Sequence, residues 1–170
     1  MQKKSALYNI NYSINYHLLK NMEQRFNIQQ LEPNAYKAMF ELEKYLSKTD
    51  IEESLFELIK LRVSQINGCA YCIETHSRTA LGHGERPQRI FALSAWKESP
   101  LFNEKEKAAL KLADEVTLIS IQGLTEETYK DLRKYFSENE ISQMIMLIGT
   151  YNLWNRIAIS THMFVPDNNQ

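Results

Sequence analysis

A chain of 170 residues is long enough for one domain with a sizeable core, and 20 lysines and arginines against 21 aspartates and glutamates, interspersed to a net charge of −1, leave no electrostatic footprint for nucleic acid. Glycine (5) and proline (4) are sparse, which suits helices joined by short connections, so an all-α fold is expected. The first twenty residues never form the apolar run of a secretory signal and no stretch reads as a membrane span, so the expectation is a cytoplasmic protein with neither membrane nor nucleic acid as partner.

Residues 1–32 are polar and tyrosine-rich and read as an N-terminal arm, with a short helix from Tyr16 to Phe26 suggested by the spacing of Leu18, Leu19, Met22 and Phe26. Residues 33–165 read as the domain and 166–170 as a tail. Pro33 suits a first helical position, and Tyr36, Met39, Phe40, Leu42 and Leu46 continue an apolar stripe to about Ser47. Asp50 is expected to cap a second helix from about Ile51, with Glu53 at its third position. The apolar residues of that helix, from Leu55 to Ile66, spread around much of its circumference and predict burial on several sides; Asn67-Gly68 supplies the left-handed stop.

A third helix is expected from about Cys69 to Leu81, ended by Gly82-His83-Gly84. Arg86 to Lys97 reads as a fourth, with Ile90, Phe91, Leu93 and Trp96 as its apolar side, and Asn103 as the cap of a fifth reaching Leu118. Thr125 opens a short helix to about Phe136. A last helix from Glu138 or Asn139 is the most apolar part of the chain, but Gln143, Asn152, Asn155 and Arg156 interrupt it, so it reads as a core or subunit-contact helix.

Both cysteines of the chain, Cys69 and Cys72, fall in the first turn of the third helix, where unsatisfied N–H groups favour a thiolate. Helical residues three apart have Cα atoms roughly 5 to 6 Å apart, within disulfide reach, so one cysteine can oxidise and the other resolve. His76, one turn beyond Cys72, shares its face and can act as base or cation beside the sulfur. Glu57 would return alongside that helix if the second and third helices form a hairpin around Gly68; its bland alternative is a surface pair with Lys60. A zinc site is the weaker reading, because His83 lies about 10 Å along the helix from His76, although Glu57 could serve as a fourth ligand. His17, His83 and His162 read as structural, and Tyr71 as a packing residue whose hydroxyl could reach the site. No cofactor and no metal is expected.

With these residues in view, the chain resembles the alkylhydroperoxidase AhpD-like family of the carboxymuconolactone decarboxylase superfamily. The resemblance rests on Glu57, Cys69, Cys72 and His76 at their spacing within the Glu57 to Cys72 stretch, and extends through Ala92 to Trp96 and Asn152 to Arg156, covering about residues 30 to 165. It implies a helical bundle of about six to eight helices with the redox cysteines at the N-terminus of a core helix. It also implies a homo-oligomer, trimeric or hexameric, that reduces alkyl hydroperoxides and is recycled by an external dithiol or lipoyl-type reductant. By the family's pattern Cys72 attacks the peroxide, Cys69 resolves to the disulfide, and His76 with Glu57 relays protons. Some members carry a histidine between the cysteines where this chain has Tyr71. Two alternatives stay open: a redox-sensing or disulfide-reductase protein without peroxide turnover, and a decarboxylase of the kind that names the superfamily.

Overall fold

In a computed structural model the residues described are 23–164, and among them every regular element is helical. They are α1 (Ile28–Leu31), α2 (Pro33–Leu46), α3 (Glu53–Asn67), α4 (Ala70–Gly82), α5 (Pro87–Ala92) continued by a 3₁₀ turn (Leu93–Ala95), α6 (Glu104–Thr117), α7 (Ile119–Gln122), α8 (Glu126–Leu132) and α9 (Glu138–Thr161). The nine α-helical segments among the described residues exceed the six to eight expected because α1 and α7 are single turns.

The bundle is organised around α3, which packs against α4, α6 and α9. Its Leu55, Ile59 and Val63 meet Ala109, Leu112 and Ala113 of α6 and Met144, Leu147 and Ile148 of α9 in the larger core. Leu58 and Leu61, on another side, join Ile90, Leu93, Trp96, Phe102 and Leu110 in a second core. A helix whose sides face different neighbours must be apolar around most of its girth, which is the spread its sequence displays. The most apolar helix, α9, lies across α3 and α6, and among the described residues no helix is long and apolar enough to cross a membrane.

Local chemistry sets most boundaries. Asn103 and Ser137 form capping boxes with Glu106 and Glu140 at the starts of α6 and α9, and the Thr125 hydroxyl accepts from Thr128 N at α8. α8 ends at Leu132, short of the expected Phe136, in a turn where Tyr135 N and Phe136 N both donate to Leu132 O.

Three expectations need correction. α3 begins at Glu53 with Glu52 in the cap position and no side-chain cap, so Asp50 does not start it and Glu53 is its first residue, not its third. Ile51 packs against the larger core, which holds the incoming chain outside the helix until Glu52. The expected helix from Arg86 to Lys97 is α-helical only to Ala92: the tighter 3₁₀ turn stacks residues three apart, and it turns Leu93 and Trp96 together into the second core while Phe91 is left 79% exposed. Of the arm helix expected from Tyr16 to Phe26, residues up to 22 lie outside the described residues, as does the tail from Pro166; residues 23–27 are not helical. Arg25 ties this segment to the end of α9, its N–H donating to Thr161 O (2.9 Å) and its Nη1 to Ser160 O (3.1 Å).

Candidate active site

Only Gly68 and Cys69 separate α3 from α4. Gly68 adopts φ 68° and ψ 31°, a left-handed conformation that strains any side chain, and its N–H donates to Gln65 O while Cys69 N donates to Ser64 O. This Schellman closure satisfies the last carbonyls of α3 and delivers Cys69 directly into the N-cap position of α4. Cys72 is then the third residue of that helix, and the two cysteines are joined as a disulfide with Cα atoms 5.3 Å apart. The Cys72 N–H points at Cys69 Sγ, 3.3 Å away.

The cysteines are not equivalent. Both are buried, but Cys72 lines a cavity of about 210 Å³ whereas Cys69 does not, sitting behind it. His76 lines the same cavity one turn beyond Cys72, its ring edge-on to Tyr151 with centroids 5.0 Å apart. Glu57 reaches this point from α3 because the tight Gly68 turn folds α4 back along it. Its Oε2 lies 3.4 Å from His76 Nδ1, close but without the alignment of a hydrogen bond.

Glu57's second oxygen is firmly engaged. Lys60 Nζ lies 2.6 Å from Oε1, and the ammonium sits over the rings of Phe56 (4.9 Å) and Tyr151 (4.8 Å). The pairing with Lys60 foreseen as a surface contact is therefore buried, with Glu57 5% and Lys60 7% exposed. Burial pushes the Glu57 carboxyl up, but His76 and Lys60 together outweigh it and hold the group below the ordinary carboxylate range. Tyr151 goes the other way: burial, and then the Glu43 carboxylate that its hydroxyl donates to, keep the phenol protonated far above neutral pH.

A polar network anchors the cysteine turn from behind. Asn67 Nδ2 donates to Asn152 Oδ1 (3.0 Å) and to Asn155 Oδ1 (2.9 Å), and Asn155 Nδ2 donates to Ser64 Oγ (3.2 Å). The asparagines that interrupt the apolar run of α9 thus clamp the end of α3 to α9. Asn155 is fully buried, and its side chain is satisfied at both ends.

The structure brings Glu57, Cys69, Cys72 and His76 together, with Tyr71 on the cavity wall. His83 stands apart at the far end of α4, 3.0 Å from Glu53 at the surface. Sequence reasoning overlooked Lys60 as a buried partner, and assigned Tyr36 and Phe40 to a core stripe although both line the cavity mouth with Trp154. The i, i+4 pair Tyr36/Phe40 and the i, i+3 pair Tyr151/Trp154 were the available signal; which way they face depends on how α2 crosses α9.

Residues 33–115 match the Carboxymuconolactone decarboxylase family. An uncharacterized protein of Bacillus subtilis, YdfG, is 40% identical over 139 residues, which span 82% of this chain and 95% of the relative. A solved structure from Agrobacterium tumefaciens, a protein of unknown function described as a putative antioxidant defence protein AhpD, superposes with a TM-score of 0.83 at 38% identity, over 86% of this chain and all of that one. The debrominase Bmp8 shares the fold alone, with a TM-score of 0.71 at 23% identity over 81% of this chain and 74% of its own. The Glu57–Cys69–Cys72–His76 arrangement and these likenesses agree: the chain belongs to the AhpD-like branch of the carboxymuconolactone decarboxylase superfamily.

Proposed function

We propose that the protein is a thiol-dependent hydroperoxide reductase, and the observation that carries this reading is the unequal placement of the two cysteines. Cys72 faces the cavity beside His76, where a hydroperoxide can reach it, and Cys69 waits behind within bonding distance. In the reduced protein His76 takes the Cys72 proton, helped by the Glu57 carboxylate at its other nitrogen. The thiolate attacks the terminal peroxide oxygen; the O–O bond breaks, Cys72 becomes a sulfenic acid, and the alkoxide takes the proton back from His76 to leave as the alcohol. Cys69, as thiolate, then attacks the sulfenic sulfur; the S–O bond breaks, the hydroxide leaves as water with the Cys69 proton, and the disulfide forms. An external dithiol, of lipoyl or small-molecule type, returns both thiols by exchange through a mixed disulfide.

The relay has no second histidine. Tyr71 stands between the cysteines on the cavity wall, and its part in this reading is to shape the wall, not to carry protons. Assembly into a homo-oligomer belongs to the same proposal, supported by apolar side chains left exposed on α9 (Met146, Leu153) and α7 (Ile119, Ile121). Sedimentation of the intact chain as a monomer would remove that part.

The test is hydroperoxide turnover by the reduced protein with a panel of dithiols. Wild type is expected to cycle, Cys72→Ser to lose consumption entirely, and Cys69→Ser to be oxidised once and then to turn over only as fast as the dithiol reduces the sulfenic acid directly. Stoichiometric oxidation of wild type with no cycling under any dithiol would instead make the protein a redox sensor.

A further inference from the structure

The cavity at Cys72 is a container of particular shape and charge. Five aromatic side chains wall it: Tyr36 and Phe40 of α2, Tyr71 of α4, and Tyr151 and Trp154 of α9. Tyr36, Phe40 and Trp154 pack mutually edge-on or tilted, with centroids 5.0 to 5.4 Å apart, so the mouth is a cluster of rings that hold one another in place. Met163 and Ala158 complete the apolar surface.

Some polar groups on the wall are engaged within the protein, while the buried Trp154 Nε1 and His76 Nδ1 have no hydrogen-bond partner. The Thr75 hydroxyl donates to Tyr71 O, and Glu43 accepts the Tyr151 hydroxyl. Among the described residues no lysine or arginine lines this cavity, and its one carboxylate is Glu43. Such a site offers ring faces and edges to a ligand and repels a negative charge. Its volume, about 210 Å³, exceeds the roughly 150 Å³ in which a single benzene is held, and so has room for a ring bearing a short substituent.

We infer that the substrate is an uncharged hydroperoxide carrying an aromatic ring, and that Tyr36, Phe40 and Trp154 select it over hydrogen peroxide, over small alkyl hydroperoxides and over the carboxylate-bearing hydroperoxides of fatty acids. This rests on the hydroperoxide-reductase reading and adds to it the identity of the group attached to the peroxide. The ring lies among the five aromatic walls, and its α-carbon hydroperoxide projects toward Cys72 and His76. Hydrogen peroxide finds the same thiol but no wall to hold it, and an ionised fatty acid meets Glu43 with no cation to pair with.

The test compares kcat/KM for cumene hydroperoxide, tert-butyl hydroperoxide, hydrogen peroxide and linoleic acid hydroperoxide, with dithiothreitol as reductant throughout. Edge-to-face contacts with several rings predict cumene hydroperoxide ahead of the tert-butyl compound by roughly tenfold. Phe40→Ala, at a half-exposed position, and Trp154→Leu are expected to lower the cumene rate several-fold more than the tert-butyl rate; a ratio of two substrates on one variant is indifferent to how much of it is folded. Glu43→Gln is expected to improve linoleic acid hydroperoxide relative to cumene hydroperoxide. Hydrogen peroxide or the fatty-acid compound as the best substrate overturns the inference while leaving the reductase reading intact.

If no hydroperoxide is consumed, the reductase reading fails, and the cavity is tested by binding alone. In that arm 2-phenyl-2-propanol should quench Trp154 fluorescence at lower concentration than tert-butanol or laurate, with Trp154→Phe as the blank. Equal or weaker binding of the aryl alcohol overturns the inference there as well.

Discussion

Two clusters of buried charge, at Arg89 and at Glu57, are built to opposite ends. Arg89 donates from Nη1 to Leu101 O (2.7 Å) and from Nη2 to Glu106 Oε1 (2.5 Å), lies over the Phe102 ring, and has Glu85 Oε1 2.9 Å from Nε as an ion pair without the alignment of a hydrogen bond. Burial pulls its guanidinium down, but Glu106 and Glu85 outweigh this and raise it further above its already high value, so it never titrates. Its role is to tie α5 to the start of α6. At Glu57 one carboxylate oxygen is equally well held, by Lys60, but the other faces His76 Nδ1 across 3.4 Å, and neither atom has a properly aligned partner. A buried carboxylate left half-engaged beside a titratable ring and a cavity is poised for proton movement; a guanidinium held between two carboxylates and far from the cavity is poised for none.

That contrast can be broken by substitution. His76→Gln keeps the shape of the α4 face but removes the base, and kcat/KM for a hydroperoxide is expected to fall by roughly 10² to 10⁴. The fold should survive, as near-ultraviolet circular dichroism would report. Arg89→Met does the reverse: it strands Glu85 and Glu106 and is expected to cost about 3 to 5 kcal/mol in urea denaturation, with specific activity of the folded fraction unchanged. If Arg89→Met lowers the rate of folded molecules as much as His76→Gln does, the distinction between the two clusters is wrong.

Asn155→Leu sharpens a smaller point. It leaves Asn67 with one partner fewer and removes the donor to Ser64 Oγ, so about 1 to 3 kcal/mol of stability should be lost, measured by the same denaturation. Because the network ends at the turn that carries Cys69, the disulfide of this variant should also reduce at a less negative potential than that of wild type.

The smallest effect is one of pH. Glu57 is held below its unfolded value, so its ionised form favours the folded state; that contribution is complete above the unfolded carboxyl pKa of about 4.3 and is lost as pH falls through the lower folded value. Denaturation midpoints of wild type should therefore decline on acidification below about pH 4.3 more steeply than those of Glu57→Gln. Parallel curves would mean that His76 and Lys60 do not hold the carboxyl down.

Much of this arrangement is legible in the sequence because it is local. Cys69, Cys72 and His76 share one helix at three- and four-residue spacing, and Gly68 forces the short connection that swings Glu57 back beside them. What resisted reading depends on how separate helices meet. Lys60 looks like the ordinary surface partner of Glu57 until Tyr151, from the distant α9, covers it. The asparagines of α9 look like breaks in an apolar run until Asn67 and Ser64 are seen opposite them. Phe91 continues a helical pattern that the chain abandons for a 3₁₀ turn, because burying both Leu93 and Trp96 outweighs keeping one stripe in register.

The most direct measurement of the central claim is to reduce the protein, add one equivalent of hydroperoxide, and locate the oxidation by mass spectrometry with and without a sulfenic-acid trap. The account predicts a Cys69–Cys72 disulfide in wild type, a trapped sulfenic acid on Cys72 in Cys69→Ser, and no rapid oxidation of Cys72→Ser. A sulfenic acid that forms on Cys69 in Cys72→Ser as fast as on Cys72 in Cys69→Ser would contradict it, because the division of labour between a cysteine facing the cavity and a cysteine behind it would then be wrong.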